Sequence, residues 1–346
     1  MAEEQGVAPA ALPWFPLFPW QVDAARAALA QRPSWPHALL VHGPRGIGKH
    51  ALALNFALAL LCEAQRPDGL ACGVCPGCRY AMSGQHPDLM RLELVMIDED
   101  DGTLQEVDAI RIDRVRAVTD FVHLTSHRQR AKVVVIAPAE TMNAAAANAL
   151  LKTLEEPPAG TYLILVSDRP GRLPPTILSR CRRLAAPRPT QQEARAWLAA
   201  QGVEAPDLAL AQASGAPLAA LAHVDPGAQS ERRAWLAGLA APEKISAFEL
   251  ASRIDAGGKD ERRARLGRAV DWLIAWTADL ARVGAGDAAR QNPDAAEPLR
   301  RLASQVAPIA LFRYHRSLLR QRALLAHPLQ PRLVAEALLV DYKALF

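Results

Sequence analysis

Two clusters of residues have types and spacings that could do chemistry. The first is Gly43-Pro44-Arg45-Gly46-Ile47-Gly48-Lys49-His50, and the second is Cys62, Cys72, Cys75 and Cys78. The glycine-rich run follows the pattern G-x-x-x-x-G-K-[ST] up to its last position. In that pattern the glycines let backbone N–H groups approach phosphate, the following helix N-terminus favours anions, and the lysine adds a point charge. Gly43, Gly48 and Lys49 are therefore the candidate nucleotide-binding residues. His50 stands where Ser or Thr would supply an oxygen to magnesium. Imidazole is a poor ligand for that hard ion, so the frame of a nucleotide site is present with one chemical part missing.

The four cysteines follow the spacing C-x9-C-x2-C-x2-C and are all but one of the cysteines in the chain. C-x2-C pairs let two thiolates reach one tetrahedral ion, and a third close thiolate with a more distant one completes a four-cysteine shell. Gly73, Pro76 and Gly77 supply the tight turns between them. Disulfides are the alternative, disfavoured in a reducing cytosol. A redox C-x-x-C does not account for three cysteines in one knuckle. The expectation is a structural Zn2+ held by Cys62, Cys72, Cys75 and Cys78. A closed shell leaves no open position for catalysis, so this ion would staple a segment and do no chemistry.

These clusters need elements to position them. Ala38–Val41 reads as a buried strand entering the glycine turn, and Ala51–Leu61 as the helix leaving it. Leu89–Met96 is a second strand candidate, and Asp98–Asp101 a solvated acidic turn. Val115, Val118 and Val122 mark an amphipathic helix, and Lys132–Ala137 a buried parallel strand. That strand is where a P-loop ATPase ordinarily ends in an acidic pair, yet Ala137-Pro138 stands there and the next carboxylate is Glu140, too late for the strand tip. Asn143–Glu155 is a helix stopped by Pro157-Pro158, and Tyr162–Val166 a further strand. Trp14, Phe15, Phe18 and Trp20 read as a satellite core against a first helix, Gln21–Gln31. The class is α/β, a parallel sheet with helices on both faces.

The chain has 346 residues, enough for two or three domains, and its net charge of +4 permits nucleic-acid contact without arguing for it. No apolar run is long enough to span a membrane. The first residues are acidic where a signal peptide needs positive charge, so the expected compartment is the cytoplasm. Residues 1–13 read as a disordered leader.

The run Asn148-Ala149-Leu150-Leu151-Lys152-Thr153-Leu154-Glu155-Glu156-Pro157-Pro158, followed by Thr176-Ile177-Leu178-Ser179-Arg180-Cys181, closely resembles bacterial clamp-loader subunits of the AAA+ class. The P-loop and the cysteine cluster stand in that family's order. The resemblance covers residues 14–225 strongly and the rest weakly, with Pro331–Tyr342 like the family's closing helix. It implies an AAA+ domain at 14–186 with a zinc module at 62–78, a three-helix lid at 187–240 and an all-α collar domain at 241–346. The family's motor subunits, gamma and tau, carry Thr after the P-loop lysine, an Asp-Glu pair at Ala137-Pro138 and a sensing arginine near Leu218. All three are absent here.

The resemblance therefore implies a non-hydrolysing member of the DNA polymerase III clamp loader. Its partners would be the gamma/tau motor subunits and the delta subunit, with the sliding clamp and primer-template DNA reached through the complex. It implies that Arg180, in the Ser-Arg-Cys motif, projects into a neighbour's ATP site as a trans arginine finger. Read without the motif, Arg180 is equally a surface salt-bridge arginine. Cys181 reads as a small buried apolar residue. Lys49 and the glycines remain, so ATP binding stays open. The competing classes are an active P-loop ATPase of motor type and a zinc-dependent DNA-binding protein; the latter needs a basic stripe, and only Arg66 and Arg79 lie beside the knuckle.

Overall fold

The computed structural model describes residues 14–31, 35–97, 104–325 and 330–346. The leader at 1–13 and the acidic turn at 98–101 lie outside the described residues. The chain divides into two compact units, one up to Glu193 and one from Ala194.

The first unit is built on a parallel sheet of five strands. Its strands are β1 (Ala38–His42), β2 (Leu89–Glu93), β5 (Lys132–Ala137), β6 (Thr161–Ser167) and β7 (Arg182–Ala185). A separate antiparallel hairpin joins β3 (Val95–Ile97) to β4 (Leu104–Glu106). The main sheet runs in the order β2-β5-β6-β1-β7, so one strand separates the P-loop strand β1 from β5. All its pairings are parallel. The central strands are apolar on both faces because both are covered. On one face lie helices α4 (Ile112–His123) and α5 (Ala144–Glu155), and on the other α2 (Lys49–Leu61), which packs against β5 and β6. Helix α1 (Val22–Ala30) precedes β1. Asn143 caps α5 by accepting from the Ala146 amide at 2.8 Å.

The second strand candidate is shorter than the sequence suggested. It leaves the main sheet after Glu93, and Leu94 instead gives its carbonyl to the Val107 amide beside the hairpin. The segment Trp14–Trp20 also reaches the P-loop. The Trp20 indole and the Gln21 amide donate to the Ile47 carbonyl at 3.0 and 3.2 Å, and Gln21 also reaches the Gly48 carbonyl at 2.8 Å. These residues brace the P-loop, while the Pro19–Gln21 turn also contacts α1.

Asp88, fully buried, ties the loop before β5 to the start of β2. It accepts from Ser126 Oγ and from the His127 and Arg128 amides at 2.9–3.0 Å, with Lys132 Nζ 3.5 Å away. Burial alone would raise its carboxyl, but these donors and the Lys132 charge hold it below the ordinary aspartate range. A depressed folded pKa makes this stabilisation fully present above the unfolded value near 4 and lost as pH falls through the folded one. Asp88→Asn is expected to cost about 3 kcal/mol at pH 7, since it leaves Lys132 buried without its counter-charge. Urea unfolding at pH 7 and pH 3 checks this: the gap between wild type and variant must shrink in acid.

The second unit is helical. A small core of Ala194, Leu198, Val203, Ala209, Leu210 and Ala220 joins α7 (Gln191–Ala200), α8 (Pro206–Gln212) and α9 (Pro217–His223). A larger one joins α10 (Pro226–Leu239), α11 (Ala247–Ser252), α12 (Lys259–Gly284), α13 (Ala296–Ala303), α14 (Pro308–Leu324) and α15 (Pro331–Lys343). Trp276 is fully buried and donates to Tyr342 Oη, which donates on to the Leu239 carbonyl, both at 2.8 Å. It is a core residue. The loop after α12, which its Gly/Ala/Asp composition marks as mobile, is held down. Buried Asp279 accepts from the amides of Arg290, Gln291 and Asn292 and from the Asn292 side chain, all within 3.0 Å.

Candidate functional site

The P-loop geometry follows from its residues. Gly48 has φ +88° as it opens α2, a left-handed conformation that a side chain disfavours. A Cβ there would meet the Phe18 ring at 2.4 Å, so glycine is required on both counts. Gly43, leaving β1 at φ +154°, donates its amide to the Ser167 carbonyl at 3.3 Å. Lys49 begins α2 and is buried, with only 3% of its side chain exposed. Its Nζ lies 2.5 Å from Asp168 Oδ1, just past the end of β6, and donates to the Pro44 carbonyl at 2.6 Å.

The positions around that lysine are used differently from a magnesium site. His50 Nε2 lies 3.0 Å from Glu93 Oε1 at the tip of β2, and Arg91 Nε donates to the same oxygen at 2.6 Å. Burial acts to raise the Glu93 carboxyl, but His50 and Arg91 hold it below the usual range. Glu93 pairs in register with Ala137, so it neighbours the strand tip where the acidic pair is missing. Glu140 turns back, and its Oε1 accepts from the amides of Asp168 and Arg169 at 2.9 and 3.2 Å. Sequence reasoning passed over Asp168 and Glu93; a polar residue directly after an apolar strand was the available signal for Asp168.

The cysteine knuckle is assembled. The four Sγ atoms all lie within 4.8 Å of one another, with Cys62–Cys75 and Cys72–Cys78 each 3.9 Å apart. A tetrahedral ion with Zn–S bonds of about 2.3 Å places its sulfurs about 3.8 Å apart, whereas a disulfide needs about 2.05 Å. Cys62 follows the last residue of α2, and Cys75 caps α3 (Pro76–Met82) by accepting from the Cys78 amide. Gly77 lets the knuckle close on α2: a Cβ there would lie 2.8 Å from the Leu61 carbonyl. Backbone amides of Glu63, Cys72, Val74, Cys75 and Cys78 point at the sulfurs at 3.3–3.4 Å. Burial, the largest influence on Cys75, raises its thiol, but the amide donors of Cys78 and Glu63 and the neighbouring thiols prevail and bring it to about 6. Deeper burial raises Cys78. Backbone amides aimed at sulfurs this close suit a thiolate shell. Four cysteines so placed could hold a metal ion. Arg128 docks the knuckle onto the sheet, its Nε 2.5 Å from Glu63 Oε1.

Arg180 stands on the surface between α6 (Pro175–Leu178) and β7. Its Nη1 donates to the Thr176 carbonyl at 2.9 Å and to Ser179 Oγ at 3.3 Å, and its Nη2 pairs with Glu155 at the end of α5. A third of its side chain is exposed. Cys181 beside it is buried, and burial pushes its thiol up to about 11, as suits an inert packing residue.

The sequence model of the family described as DNA polymerase III, delta subunit, matches residues 25–189. The DNA polymerase III subunit delta' of Pseudomonas aeruginosa is 37% identical over 272 residues, 77% of each chain. That of Escherichia coli is 33% identical over 279 residues, covering 80% of this chain and 78% of the relative. The DNA polymerase III subunit tau of Bacillus subtilis is 34% identical over 165 residues, but these are only 27% of its own length.

Proposed function

The chain belongs to the bacterial DNA polymerase III delta-prime family of clamp-loader AAA+ subunits, and from that membership we propose that it is a ring member that does not itself hydrolyse ATP. The observation carrying this reading is the tip of β5. Ala137-Pro138 offers no carboxylate to magnesium or water, and Glu93, in register with Ala137, and Glu140, three residues on, are engaged by His50 with Arg91 and by the backbone of residues 168–169. Phosphoryl transfer rests on positioning and on charge placed around the γ-phosphate, so losing the metal's ligands removes the reaction while leaving the fold intact.

The positive contribution of the chain in this reading is shape plus one guanidinium. Arg180 serves the ATP site of a neighbouring gamma or tau subunit, to which its planar fork can present two donors at once. The chain closes a ring with the motor subunits and the delta subunit, and through that ring meets the sliding clamp and primer-template DNA. A zinc ion held by Cys62, Cys72, Cys75 and Cys78 staples the knuckle to α2, and residues 241–346, which contain α11 to α15, serve as the collar domain.

Mg-ATP turnover by the isolated chain tests the central claim, with Lys49→Ala as the control. The expected result is no turnover above that control. Turnover that disappears in Lys49→Ala would make the chain a motor-type ATPase and end the proposal.

A further inference from the structure

A buried ammonium is costly unless it is paired. In a working P-loop, bound phosphate and a strand-tip carboxylate share that duty around the lysine. This chain lacks the strand-tip carboxylate, yet Lys49 is as buried as a core residue. Its counter-charge comes from the adjacent strand, as Asp168 at 2.5 Å, and its remaining reach is taken up by the Pro44 carbonyl of its own loop. Asp168 is itself fixed: Glu140 receives its amide and that of Arg169, which orients the turn leaving β6. The Trp20 and Gln21 side chains hold the Ile47 and Gly48 carbonyls of the same loop.

We infer that Asp168 is an internal substitute for phosphate: its carboxylate occupies the charge of Lys49, makes the P-loop self-liganded, and sets its affinity for nucleotide phosphates against binding. The inference rests on the non-hydrolysing reading of the same site and gives a physical basis for it. A phosphate entering the loop must displace Asp168 from Lys49 and leave two anions facing each other across a partly buried space, where like charges repel far more than in water. The P-loop then persists as a braced turn whose stability does not depend on a ligand.

The test is calorimetric titration of ADP into the full-length, zinc-loaded chain. ADP is used because its phosphates engage the loop without requiring the magnesium ligands that are absent. Asp168→Asn is expected to bind ADP at least tenfold more tightly than wild type, and adding Lys49→Ala to it is expected to abolish the gain. Because Asp168→Asn leaves the ammonium of Lys49 unpaired, a second arm follows thermal unfolding of Asp168→Asn, Lys49→Met and the double variant. The double variant is expected to melt higher than Asp168→Asn alone, since it removes the orphaned charge. Equal ADP affinity in wild type and a folded Asp168→Asn would overturn the inference, as would a double variant whose loss is the sum of the two single losses. Either result can occur while isolated wild type remains inactive on ATP, so failure here is separable from failure of the non-hydrolysing reading.

Discussion

In a reconstituted clamp loader, Arg180→Ala is expected to lower ATP hydrolysis on the order of 10³-fold at the one motor site this arginine would face. Total turnover would fall only by that one site's share if the motor sites act independently, and nearly to zero if they act in obligatory sequence. The size of the effect follows from where the charge acts. A guanidinium placed at the γ-phosphate meets charge that spreads over the transferring oxygens, so its contribution appears in kcat more than in KM. Arg180→Lys is expected to recover little, because an ammonium lacks the planar fork. The variant should still fold and assemble. Among the described residues of the isolated chain, Arg180 makes a surface ion pair with Glu155 and two contacts to its own turn, and pairs of that kind contribute about 0–1 kcal/mol. Assembly by size exclusion, together with steady-state turnover in the presence of clamp and primed DNA, reads both halves. Normal assembly with unchanged turnover would remove the finger role.

The second large effect concerns the knuckle. Elemental analysis of the purified chain is expected to find one zinc per molecule, and Cys78→Ser is expected to reduce that sharply. In isolated zinc modules the ion supplies about 10–16 kcal/mol of apparent folding free energy, far more than the short helix α3 can gain from its own packing. Loss of the ion should therefore open residues 62–86 to protease and erase the exchange protection of the amides that point at sulfur. The five-stranded sheet should survive, because α2 is buried along nearly its whole length against β5 and β6 without help from the knuckle. A chain that purifies without metal and still protects those amides would rule out the four-thiolate staple.

Much of the fold was legible because it is local. Strand, glycine turn and helix at the P-loop are contiguous, and the four cysteines fall within one short segment. Helix α5 announces itself by periodicity, an Asn143 cap and a double-proline stop. The strand β7 was not legible. Arg182-Arg183-Leu184-Ala185 has no apolar alternation, and it is a strand because the far edge of β1 offers unpaired backbone groups beside it. The loop after α12 shows the opposite case. Its composition argues for mobility, yet the buried carboxylate of Asp279, on the preceding helix, collects its amides.

The amino-acid sequence by itself determined that this chain has a P-loop frame, a four-cysteine cluster, a Ser-Arg-Cys motif and no acidic pair at the tip of β5. Each is a matter of residue type at short spacing. Only the tertiary structure decided what the surviving charges do. It set His50 against Glu93, folded Glu140 back onto the end of β6, and paired Lys49 with Asp168 from a strand far along the chain. The reason is electrostatic: a buried charge must find its partner in space, and the parallel sheet brings strand ends together that the sequence keeps apart.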